Sequence, residues 1–130
     1  MCRWGPDSQV PPRAPHIMET NGVGLLKHGA ALVDKLGKAF YREVDWAKTE
    51  VDRIVCHQVA SANRDAILQA LGQPHDKDFS TFPYLGNMGT VSLPVTAALA
   101  QERGVLERGM KVAFMGIGSG LNSLMMGWKW

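Results

Sequence analysis

The chain has 130 residues and a formal net charge of +2, enough for one domain that buries about two thirds of its unfolded surface. With 45% hydrophobic and 20% charged residues its composition is that of a globular protein. So small a charge, carried by scattered basic residues, gives no case for a nucleic-acid or anionic-membrane surface. No stretch approaches the roughly 20 apolar residues of a membrane helix, and the first residues lack the apolar core of a secretory signal. Cys2 and Cys56 have no metal-ligand spacing, so the expectation is a cytoplasmic protein with reduced thiols and no metal.

Residues 1–20 carry prolines at 6, 11, 12 and 15. Proline fixes φ and lacks an N–H, so loop or extended chain is expected there. This stretch, with Trp4 and Cys2, reads as a connection inside a longer polypeptide rather than as a free tail. From Asn21 to Val44 the pattern turns helical, with Asn21 as N-cap and Leu25, Gly29, Leu32, Leu36 and Phe40 as the inward stripe. His28 lies on this helix as an exposed residue. A short helix is expected from Trp46 to Val51.

Arg53-Ile54-Val55-Cys56 has the β-branched character of a strand and delivers His57 at its C-terminal end. A helix from Ala60 to Leu71 follows, with Ala62, Ala66, Ile67 and Ala70 inward, stopped by Gly72 and barred from restarting by Pro74. His75-Asp76-Lys77-Asp78 reads as a solvated turn and Phe79 to Phe82 as a short strand. Residues 83–87 form an irregular loop. The next helix spans about Thr90 to Arg103, with Pro94 confined to its first turn. Glu107-Arg108-Gly109 turns into a strand from Met110 to Met115, a glycine loop occupies 116–120, and Asn122 to Trp130 closes as a strand. This order is an α/β layer, with helices packed on a mixed sheet.

Three short pieces carry chemistry: Cys56-His57-Gln58, Leu85-Gly86-Asn87-Met88-Gly89-Thr90 and Gly116-Ile117-Gly118-Ser119-Gly120. His57 can move a proton near neutral pH, Asn87 can donate a hydrogen bond, and the glycine loop can present bare backbone N–H groups. Each has a structural alternative: His57 as a hydrogen-bonded core residue, Asn87 as a turn residue between glycines, and the loop as a plain hairpin. Gly116-x-Gly118-x-Gly120 is not a dinucleotide fingerprint, because a strand rather than a helix follows it. Ser119 lacks the pattern of a hydrolase nucleophile elbow. Cys56 points to the opposite face from its neighbour His57. The set therefore provides for an oxyanion beside a thioester but contains no nucleophile.

In combination, His57-Gln58, Gly86-Asn87 about thirty positions on, and Gly118-Ser119-Gly120 before a final Gly-Trp-Lys-Trp resemble one known pattern. It is the C-terminal half of the ketoacyl-ACP synthase III-type enzymes of the thiolase superfamily. The run LGNMGTVSLPVTAALAQERGVL, followed by GIGSGLN, is similar to the OleA-type enzymes of olefin biosynthesis, which join two fatty acyl-CoA molecules head to head. The resemblance covers about residues 20–130 and implies a thiolase-like half-domain in a homodimeric acyltransferase of lipid metabolism. It implies acyl-CoA or acyl-ACP thioesters as substrates, no cofactor, and a Cys-His-Asn triad whose cysteine sits in an N-terminal half that this chain lacks. His57 and Asn87 match the histidine and asparagine. Gly118, Ser119 and Gly120 match the loop whose N–H supports the oxyanion. In fatty-acid initiation enzymes the histidine motif runs His-Gln-Ala-Asn. Here Ala60 stands where that asparagine would be and Asn63 does not replace it, which favours the acyl-CoA condensing relatives over a decarboxylating 3-oxoacyl-ACP synthase III. A non-catalytic binding module is the reading from a different class, and the isolated chain is expected to be inactive.

Overall fold

The computed structural model describes residues 2–3, 19–118 and 120–130. Two short strands come first, β1 (Cys2–Arg3) and β2 (Glu19–Thr20), paired antiparallel. The rest of the proline-rich segment lies outside the described residues.

Helix α1 (Gly22–Glu43) starts where Asn21 caps it, its Oδ1 accepting the Gly24 N–H at 2.8 Å. The buried stripe is Gly29, Val33, Gly37 and Phe40, one position round from the expected line, and Leu32 and Leu36 are half-buried beside it. The reason is close approach: a Cβ on Gly37 would stand 2.8 Å from Leu71 Cδ2. Glycine, not leucine, therefore marks the tightest face. The expected helix from Trp46 to Val51 is only a 3-10 turn, Lys48–Glu50. Glu50 accepts the Ala47 N–H at 2.6 Å and pairs with Lys111, bonds that hold its carboxyl below its ordinary value.

Strand β3 (Arg53–Cys56) and helix α2 (Ser61–Leu71) appear where the sequence places them. The buried residues of α2 are Ile67, Leu68 and Leu71, while Ala62 is exposed. Gly72 ends α2 at φ 65°, a left-handed position that glycine takes at no steric cost.

Two expectations fail in the next stretch. Asp78 is not part of a solvated turn. Its side chain is fully buried, and Arg64 on α2 reaches it, Nε to Oδ2, at 2.5 Å. Nor is 79–82 a strand: a single parallel bridge joins Asp78 to Ile54, and the chain then coils into the short helix α3 (Phe82–Leu85), with Pro83 in its first turn. A 3-10 turn, Gly89–Val91, leads into α4 (Ser92–Glu102), which leaves Pro94 inside its first turn.

Strand β4 (Lys111–Gly118) runs three residues beyond Met115, and β5 (Asn122–Lys129) returns beside it. The expected loop 116–120 therefore shrinks to a turn, because Gly116, Ile117 and Gly118 pair with Leu124, Ser123 and Asn122. A strand is less stable with glycine inside it, and here eight antiparallel pairs carry the two glycines.

The main sheet has the order β3-β4-β5, parallel between β3 and β4 and antiparallel between β4 and β5. Side chains alternate across it. On one face Ile54, Cys56, Ala113 and Met115 pack with Val33 and Phe40 of α1 and Ile67, Leu68 and Leu71 of α2. On the other, Val55, Val112 and Phe114 pack with Ala100 of α4 and with Leu106. The result is a three-layer α/β/α arrangement. It places His57 at the C-terminal end of a parallel strand, the end where open α/β sheets bind ligands.

Candidate active site

His57 follows β3 directly, and its backbone N–H donates to Met115 O at 2.8 Å. That bond extends the β3–β4 pairing by one step and fixes where the imidazole starts. The side chain is half-buried, and loss of water around it lowers its pKa from the ordinary 6.5. Neutral imidazole is therefore the resting form at pH 7.

Gln58 is buried and bonded through every polar atom of its amide. Its Nε2 donates to Cys56 O at 2.6 Å, and its Oε1 accepts from Ser80 Oγ (2.8 Å), Thr81 N (3.1 Å) and Phe82 N (2.9 Å). Three of these bonds lash the turn after β3 to the start of α3, and the fourth ties the amide back to the end of β3. Helix α3 in turn ends at Gly86, with φ 63°, and hands the chain to Asn87.

Asn87 is exposed, and its Oδ1 accepts the Gly89 N–H at 2.9 Å, the local turn bond that Asn favours. This bond engages the amide oxygen, and among the described residues the Nδ2 donor makes no hydrogen bond. Among the described residues no hydrogen bond joins His57 to Asn87. Gly118 ends β4 and is exposed. Gly120 has φ 132°, and a Cβ there would meet Asn122 Nδ2 at 2.7 Å. Ser119 lies outside the described residues.

Cys56 is buried beside Asp78. Burial first, and then the Asp78 charge and a hydrogen bond to its carboxylate, push the thiol well above its ordinary value; Asp78 Oδ1 is otherwise unpartnered. A thiol held protonated is a poor nucleophile, which agrees with the sequence argument against a Cys56–His57 pair.

Sequence reasoning passed over a second set of polar residues, Thr81, Ser92 and Thr96, each with no solvent exposure. Thr81 Oγ1 and Thr96 Oγ1 are 2.7 Å apart, Thr96 Oγ1 donates to Ser92 O at 2.7 Å, and Ser92 Oγ accepts the Met88 N–H at 2.8 Å. A signal was available: Ser92 and Thr96 are hydroxyls four residues apart on the inward face of a helix otherwise rich in alanine, valine and leucine. Among the described residues no group of three or more His, Cys, Asp or Glu could hold a metal ion, and no helix is long and apolar enough to cross a membrane.

Comparison with known proteins bears on the family and the fold. Residues 42–130 match the family described as 3-oxoacyl-[acyl-carrier-protein] synthase III C terminal. An acyl-CoA:acyl-CoA alkyltransferase from Shewanella oneidensis is 45% identical over the whole chain, which spans 37% of that relative. A beta-ketoacyl-[acyl-carrier-protein] synthase III from Microcystis aeruginosa is 29% identical over 80% of the chain, which spans 31% of it. Among solved structures, a cysteine-to-serine variant of Xanthomonas campestris OleA, with lauric acid and lauroyl-CoA bound, superposes with a TM-score of 0.86 at 32% identity. That match covers 100% of this chain and 36% of the other. The chain thus spans about a third of the length of its relatives. It belongs to the C-terminal family of the 3-oxoacyl-ACP synthase III enzymes and has their thiolase-like α/β fold.

Proposed function

We propose that this chain is the histidine- and asparagine-bearing part of an enzyme that condenses two fatty acyl-CoA thioesters to a β-ketoacyl product. The observation that carries the reading is His57: a half-buried imidazole held neutral at the C-terminal end of a parallel strand, in a chain 45% identical to an acyl-CoA:acyl-CoA alkyltransferase.

In this reaction a cysteine from the remainder of the polypeptide is first acylated, with release of CoA. The α-carbon of the second acyl-CoA then loses a proton and attacks the acyl-enzyme carbonyl. A C–C bond forms, the C–S bond to the cysteine breaks, and the thiolate recovers a proton. Nothing is oxidised or reduced overall, so the thioesters suffice without a cofactor. Neutral His57 and the Asn87 amide supply hydrogen bonds to the second thioester's carbonyl as it becomes an enolate. The turn at Gly118, Ser119 and Gly120 supplies backbone N–H support for the oxyanion at the acyl-enzyme. Fixed donors aimed at developing charge give the largest gain in such sites.

The sheet face beside α4 supports a covering partner. Leu124, Met126 and Trp128 are 74%, 45% and 54% exposed, and they flank the Val112–Phe114 core. Their natural cover is the remaining two thirds of the polypeptide, in a homodimer of complete chains.

The test grafts residues 1–130 onto the Shewanella alkyltransferase in place of its matching third and assays product by mass spectrometry. The expected result is a β-ketoacyl product from acyl-CoA alone, lost by at least a hundredfold in His57→Ala, a factor typical for removing one such donor or acid–base group. Condensation only with malonyl-ACP, with carbon dioxide released, establishes the decarboxylating synthase instead. A folded chimera that makes neither product leaves a binding module.

A further inference from the structure

The buried hydroxyls on α4 and the Gln58 amide form one unbroken chain of hydrogen bonds between the two candidate loops. It begins at Cys56 O, which accepts from Gln58 Nε2, and passes from Gln58 Oε1 to the Thr81 N–H. Thr81 continues it through its hydroxyl to Thr96, Thr96 bonds Ser92 O, and Ser92 Oγ takes the Met88 N–H. Proton counting fixes the direction. A hydroxyl has one proton, and that of Thr96 goes to Ser92 O. Thr81 must therefore donate to Thr96. Every link has a single arrangement, and every side chain in the chain is buried, where a broken link leaves a desolvated polar group unpaired.

The two ends are what make this more than core packing. Gln58 is the immediate neighbour of His57, and Met88 is the immediate neighbour of Asn87. We propose that Gln58, Thr81, Thr96 and Ser92 are positioning residues, a buried hydrogen-bonded strut that sets the distance and orientation between His57 and Asn87. The proposal rests on the reading of those two residues as the donors of the condensation site. None of the strut's hydrogen bonds goes to either side chain.

The test uses the isotope-labelled 130-residue chain and compares Thr96→Val, Thr96→Ser and wild type by NMR. Thr96→Val keeps the shape and removes both hydroxyl bonds. It is expected to speed exchange of the Met88 amide about tenfold or more, since local opening sets that rate, and to move the titration midpoint of His57. Thr96→Ser is expected to restore both readings. Amides of Phe114 and Met126 in the β4–β5 ladder should exchange as in wild type, which separates the strut from general loosening. Wild-type values at both Met88 and His57 in Thr96→Val, or no rescue by serine, overturn the proposal. If Thr96→Val does not fold, the wild-type chain decides: exchange-slowed hydroxyl signals from Thr81 and Thr96 support the strut, and their absence refutes it. None of these readings needs turnover, so a failed condensation assay leaves them standing and their own failure leaves that assay untouched.

Discussion

At the scale of single residues, burial decides what each polar group can do. Among the described residues His57 gains no partner for its charged form, and loss of solvent lowers its pKa from 6.5. The folded value lies below the unfolded one, so as pH falls the unfolded chain takes up this proton first. Stability is therefore expected to decline from about pH 6.5 towards the folded value and to level off below it, with no contribution from His57 above that window. Urea midpoints measured between pH 8 and pH 5 should show a shallower slope in His57→Gln. Asp78 shows the opposite case, a buried carboxylate with a cationic partner, since Arg64 Nε sits 2.5 Å away. Arg64→Ala removes the partner and leaves the charge buried, at an expected cost of about 3 kcal/mol, read as a shift in the urea midpoint. The sequence gives His57 away, because a histidine after a β-branched run is visible. It conceals Asp78, whose partner lies fourteen positions back on a helix face and whose neighbours, His75 to Lys77, are the residues of an ordinary surface turn.

Among elements, what was legible follows from periodicity, and what was missed follows from glycine and from tertiary contact. Helices α1, α2 and α4 and strands β3 and β5 begin and end within a few residues of the sequence signals, since caps, Gly72 and Pro94 act locally. The glycines at 116 and 118 read as a loop, because backbone freedom shows in the sequence and the partner strand that removes it does not. The stripe on α1 is displaced for a related reason: its face is set by where Leu71 and Ile117 come close to Gly37 and Gly29. Gly127 on β5 has the same role towards the end of α1. A Cβ there would stand 2.9 Å from Val44 Cγ1 and 3.0 Å from the Trp46 ring. Gly127→Ala is accordingly expected to destabilise the fold by about 1–3 kcal/mol, the usual cost of overpacking, despite alanine's easier backbone. Thermal denaturation of this variant beside wild type measures it. The candidate site divides along the same line: His57 and Asn87 could be picked out one by one, whereas the polar links between their loops appear only once α4 is laid against the sheet.

For the molecule as a whole, the two faces of the sheet are unequal. The α1–α2 side closes over a continuous core, while on the α4 side Leu124, Met126 and Trp128 stand open along β5. Contiguous exposed apolar surface promotes association, so the 130-residue chain should self-associate as its concentration rises. Replacing Leu124 and Trp128 by lysine should return it to monomer in sedimentation velocity, with the far-ultraviolet circular dichroism unchanged. Unaltered association in that double variant would place the sticky surface elsewhere. The register of the sheet also bears on how the protein is made. Arg53 of β3 pairs with Val112 of β4, so about sixty residues must be synthesised between the two partners. At about 5–20 residues per second the ribosome imposes a wait of roughly 3–12 seconds, during which β3 has no β4 to pair with. Through that interval the half of the fold that bears His57 is a nascent chain with an open strand edge, a natural client for a chaperone until the last hairpin emerges.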